Sequence, residues 1–164
     1  MTESWDDEDR TTALGLARYA YEYIAAAILV DEHHAEHRGV DAITPMPAYF
    51  LAMHGIELTL KAYLRQHVSV RKLRSREFGH DLRACYRKAK ELGLRDVYKM
   101  RSDDLRALVL LLDLNTNQGL RYIFTGAKRF PSWSIVKPFA VQLHQAIAPL
   151  VGYQIFTISF PERR

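Results

Sequence analysis

The stretch FLAMHGIELTLKAYL, residues 50–64, constrains the fold more than any other part of the chain. At helical spacing Tyr49, Met53, Ile56, Leu60 and Tyr63 share one face, while Leu51, Leu58 and Ala62 share the opposite one. A helix apolar on two sides hides both only when other helices surround it. This segment therefore reads as the central helix of a bundle, and the rest of the chain must supply its neighbours.

The neighbours are legible from periodicity and punctuation. A first helix runs from about Thr11 to His37, with Leu14, Ala17, Tyr21, Ile24 and Ile28 at three- and four-residue intervals. Thr11 or Thr12 caps it and Gly39 stops it. Thr44, Pro45 and Pro47 open the central helix, which is expected from about Pro47 to His67. A third helix spans about Asp81 to Leu92 and closes at Gly93. Ser102 with Asp103 and Asp104 opens a fourth, continued by Leu105, Leu108 and Leu112 and ending near Asn117 or Gly119. A fifth covers about Ile135 to Val151, with Pro138 in its first turn and Pro149 bending or shortening its end.

Residues 68–79 read as a basic loop and 119–134 as an extended aromatic one. The tail YQIFTISF alternates and is β-branched, so it reads as a short strand or as an extended arm packing on a partner. The expectation is one all-α domain, a four- to five-helix up-and-down bundle over residues 11–151. An acidic segment (1–10) precedes it and a tail (152–164) follows.

Composition fits that picture. With 164 residues, 48% of them hydrophobic, the chain can bury a real core. No apolar run reaches the ~20 residues that span a bilayer. Glu3, Asp6, Asp7, Glu8 and Asp9 give the start the wrong sign for a secretory leader. The lone Cys85 forms no internal disulfide and reads as a small core residue in a reducing cytosol, so a cytoplasmic protein without membrane contact is expected. The net charge of +4 is uneven: residues 65–101 hold twelve Lys and Arg against four acids. Such a segment either attracts phosphates or is a solvated helix surface, and its spacing lacks the aromatic interleaving of a single-strand channel.

Several polar groups stand out beside the core. Glu57 and Lys61 are one helical turn apart, in the favourable order for an ion pair. They read either as a structural pair or as groups facing a groove. Asp81 is placed to cap a helix, leaving His80 at the helix mouth as an acid or base near neutrality. Arg121, followed by Tyr122, offers a fork for phosphate or carboxylate, or a tie to Glu57. His33, His34 and His37 crowd the end of the first helix. The four-residue spacing of His33 and His37 suits zinc, but HEXXH is absent and the helix dipole also favours histidines there. No metal and no cofactor is assigned. P-loop, GxGxxG, GxSxG and paired CxxC motifs are absent.

Four short segments occur in one order: RYAYEYIAAA (18–27), IELTLKAYL (56–64), GHDL (79–82) and LRYI (120–123). In that order they resemble the HEPN family, small helical domains tied to nucleotide handling and RNA chemistry. The resemblance covers about residues 13–151, with Ile123 where the family has a proline. It implies a four- to five-helix bundle, often a homodimer, in toxin–antitoxin, phage-defence or nucleotidyltransferase-partner systems. Some members are metal-independent ribonucleases using R-x(4–6)-H in a late helix. Arg74 and His80 fit that spacing within RSREFGH but lie earlier in the chain, and Arg129 and His144 are too far apart.

The expected function is a module that binds nucleotide, RNA or a partner protein through Glu57, Lys61, Asp81, Arg121 and Tyr122. One alternative is a ribonuclease with His80 as base and Arg74 or Arg121 as the cation. Another is a purely structural dimerisation domain.

Overall fold

A computed structural model describes residues 10–38, 43–115, 119–120, 126 and 128–161. Among them are seven helices and no strand: α1 (Ala13–Arg38), α2 (Met46–Leu64), α3 (Val70–Leu73), α4 (Leu82–Glu91), α5 (Leu94–Val97), α6 (Ser102–Asn115) and α7 (Trp133–Ile147). A 3-10 turn, Ala148–Val151, extends α7. The all-α class is as expected.

The central position belongs to α2. Tyr49, Met53, Ile56, Leu60 and Tyr63 are buried, and so are Ala48, Ala52, Ala62 and Leu64. It packs against α1, α4 and α7, and α6 lies on α7. The α1–α2 approach is set by Gly55, where a Cβ would lie 2.5 Å from Ile24 Cγ1 and 3.2 Å from the Ala20 carbonyl oxygen. A side chain there requires Ile24 or the helix crossing itself to shift.

The Thr12, Asp81 and Gly93 signals act as expected, whereas Ser102 lies inside its helix rather than capping it. Thr12 Oγ1 accepts from Gly15 N–H at 2.9 Å and starts α1. Asp81 Oδ1 accepts from Ala84 N–H at 2.9 Å and starts α4, which Gly93 ends at φ 91°. Asp104, buried at the start of α6, accepts from Arg101 N–H and Tyr98 Oη–H, each at 2.9 Å.

Four expectations are corrected. The central helix ends at Leu64 rather than His67, because the chain turns there to bring Val70 into the core. The basic loop contains α3, capped by Ser69, and it buries Val70, Leu73 and Phe78. Three apolar side chains anchor what looked like solvated chain. The last helix starts at Trp133 under a Ser132 cap, which places Pro138 in its second turn. The tail forms no strand and packs on its own bundle. Phe156 is buried and stacks on Tyr21 at 4.1 Å, and Gln145 Nε2 donates to the carbonyls of Phe156 (2.8 Å) and Ile158 (2.9 Å).

His144 lies in the core beneath that tail. Its Nε2 donates to the Ala17 carbonyl at 2.9 Å, and Tyr21, Tyr153 and Phe156 ring it. Because a carbonyl only accepts, Nε2 carries the proton, and Nδ1 is buried without a partner.

The α1 helix is long and apolar enough, by length and composition, to cross a membrane. The runs of unbroken apolar residues in the sequence did not reveal this, because hydropathy averages over the Arg18–Glu22 pair. Here α1 buries Ala17, Ala20, Ile24, Ala27 and Ile28 in the bundle.

Candidate functional site

Glu57 and Lys61 sit on the buried part of α2, with Lys61 Nζ 2.6 Å from Glu57 Oε1. The same ammonium donates to the Gly79 carbonyl at 2.6 Å. This bond fixes the chain just before His80. His80 Nδ1 then lies 3.6 Å from Glu57 Oε1, while its side chain is 67% exposed. On the other side of the carboxylate, His54 Nδ1 is 3.9 Å from Glu57 Oε2. Glu57 thus has one cation and two imidazoles around it.

These groups form the floor and wall of a groove of about 350 Å³. Thr11, His54, Glu57, Lys61, Arg74 and His80 contribute its polar lining, and Leu16, Leu58, Val70 and Leu73 its apolar lining. Arg74 Nη2 donates to Thr11 Oγ1 at 3.3 Å, so the arginine lies across the start of α1.

The electrostatics follow from burial and pairing. Burial alone pushes the Glu57 carboxyl up, but His54 and the Lys61 ammonium together outweigh it, and the net shift is below the usual carboxylate range. Glu57 is therefore an ionised, buried carboxylate facing an exposed imidazole. Cys85, behind this pair, has its thiol pushed up to about 12 by burial, partly offset by Lys61. It is a core thiol, not a nucleophile.

Of the residues singled out by sequence, Glu57, Lys61, Arg74 and His80 come together in this groove. Asp81 follows His80 in the chain but does not line the groove, and it spends its side chain on the α4 cap. Arg121 and Tyr122 lie outside the described residues. The sequence reading missed His54, although its place three residues before Glu57 on the same helix is a visible signal. It also missed the Gly79 carbonyl, for which no sequence signal exists.

A second hollow, of about 460 Å³, gathers Lys90, Arg95 and Lys99 with Tyr86 and Tyr98. Lys90 Nζ stands 4.9 Å over the Tyr86 ring. Spacing along the chain gave no hint that cations and aromatic rings meet here. Arg129 is exposed and His144 is buried, so that pair forms no site. Of the end of α1, His33, Glu36 and His37 place their donor atoms close together.

No family model matches the chain, and neither a curated protein nor a solved structure matches it significantly.

Proposed function

We propose that this chain is a HEPN-like module that binds RNA through phosphate contacts in the groove above Glu57 and Lys61. The observation that carries the reading is the meeting of Arg74 and His80 over that buried ion pair. An arginine fork matches a phosphate, and an imidazole N–H adds a donor. The hollow with Tyr86, Tyr98, Lys90, Arg95 and Lys99 supports the same reading, since bases stack on rings while cations track the backbone.

A second reading is favoured by the 3.6 Å approach of His80 to Glu57: a metal-independent ribonuclease. His80 takes the proton of a 2′-hydroxyl. The 2′-oxygen attacks the adjacent phosphorus, and the 5′-oxygen leaves and takes a proton from water. The products are a 2′,3′-cyclic phosphate and a 5′-hydroxyl. Arg74 meets the charge of the phosphorane.

The family resemblance adds the setting: a cytoplasmic homodimer in a toxin–antitoxin or phage-defence system, with a nucleotidyltransferase-type protein as partner. Leu105 and Val109, exposed one turn apart on α6, offer a surface for such pairing.

One experiment separates the readings. A labelled mixed RNA pool is incubated with the full chain in EDTA, and anisotropy and strand length are both read. Binding that weakens with salt, and weakens in both Arg74→Ala and His80→Ala, supports the module. Cleavage lost in His80→Ala establishes the ribonuclease. Neither binding nor cleavage at low salt overturns both and leaves a dimerisation domain.

A further inference from the structure

The structure assigns a divalent transition-metal site to His33, Glu36 and His37, in the last turns of α1. Along the helix axis these residues are about 28 Å from Leu16 in the groove, so the site is independent of the RNA reading. Each of the three offers one ligand atom, and those atoms lie within 4.8 Å of one another. Two ligands of a tetrahedral zinc ion stand roughly 3.4 Å apart when the bonds are about 2.1 Å. All three side chains are exposed, so small rotations about their own bonds close the remaining gap.

The local hydrogen bonding prepares one of the ligands. His37 Nδ1 is 2.8 Å from the His33 carbonyl oxygen. A carbonyl only accepts, so Nδ1 carries the proton and Nε2 keeps its lone pair. Metal-bound imidazoles are oriented by this kind of bond, with the second nitrogen donating to a backbone carbonyl. The His33 and His37 rings are 4.1 Å apart at a tilt of 41°, with no room for a side chain between them.

The electrostatics favour a cation. The site is at the carbonyl end of a 26-residue helix, where the dipole is negative. Glu36 supplies a formal negative charge, which offsets that of Arg38 two residues further on. Two imidazoles and one carboxylate select zinc, cobalt, nickel or copper over magnesium and calcium, which take all-oxygen shells. Three protein ligands leave one position for water.

The test uses the untagged full chain, stripped with EDTA and dialysed. Zn2+ is titrated calorimetrically, and Co2+ is followed by its visible spectrum. One Zn2+ per chain is expected. His33→Gln and His37→Gln should each weaken binding at least as much as losing an outer-shell partner does, about 10-fold or more. Glu36→Gln should weaken it less, and His34→Gln should leave it unchanged. Far-UV circular dichroism checks that each variant is folded. Three results would overturn the assignment: no stoichiometric binding, an affinity unchanged in the His33→Gln/His37→Gln double variant, or a loss in His34→Gln equal to that in His37→Gln.

Discussion

Lys61 Nζ lies 2.6 Å from the carbonyl oxygen of Gly79, so the central helix grips the backbone immediately before His80. The same ammonium neutralises Glu57. Lys61→Met removes both contacts and leaves a buried carboxylate without its cation, at a cost of about 3 kcal/mol. The urea midpoint should fall accordingly. Adding Glu57→Gln removes the orphaned charge, so the double variant should be more stable than Lys61→Met alone. A Lys61→Met midpoint equal to wild type would show that His54 and His80 suffice to hold Glu57.

Acid should weaken the fold in two separable windows. Burial lowers the His144 pKa from its ordinary 6.5, more than the Ala17 bond raises it, so the folded ring stays neutral where the unfolded one takes a proton. Its contribution is complete above pH 6.5 and fades as the pH falls below it. Glu57 has a folded pKa below the ordinary 4.5. Its contribution is present above 4.5 and is lost as the pH drops through the lowered folded value. His144→Phe should flatten the upper window and leave the lower one. Denaturant midpoints between about pH 2.5 and 8 on both proteins measure the difference, and parallel profiles would contradict it.

Gly55→Ala sets two effects against each other. Alanine favours a helix interior by ~1 kcal/mol over glycine. The new Cβ, however, would stand 2.5 Å from Ile24 Cγ1 in a packed helix crossing. Overpacking of this kind costs about 1–3 kcal/mol and should win, lowering the melting temperature. Ile24→Ala makes room, so the double variant should lose less than the sum of the two singles. Strict additivity would place the strain elsewhere.

Phe156 anchors the tail between Tyr21 and His144. Phe156→Ala should cost about 3 kcal/mol, comparable to a core aromatic. Hydrogen exchange of residues 153–160 should rise at the same time. Loss of stability without faster exchange in the tail would mean that the Gln145 bonds hold it on their own.

The parts of the fold that were legible were those written locally. The two-sided apolarity of residues 49–64, the Thr12 and Asp81 caps and the Gly93 stop all depend on neighbours within one or two turns; the Ser69 and Ser132 caps are equally local but sit in segments that read as loops. The tail was misread because Tyr21 and Gln145, which hold it, are far away in sequence. The 68–79 segment was misread because Val70, Leu73 and Phe78 are spread among cations. In the candidate site, Glu57 with Lys61 is an i, i+4 pattern that sequence displays. Their meeting with His80 depends on a backbone carbonyl, which no residue type encodes. The hollow holding Tyr86 and Tyr98 was missed for a related reason: its members come from α4 and from the chain around α5.

The hydrogen bond from His144 to Ala17 joins positions 127 residues apart. On the ribosome, α1 and α2 emerge early and can pair as a hairpin, but the inner face of α1 around Ala17 waits for α7. Until α7 leaves the exit tunnel, that face is bare apolar surface on the nascent chain. This interval is the period in which the protein is open to chaperones and to aggregation, and it ends only when His144 arrives.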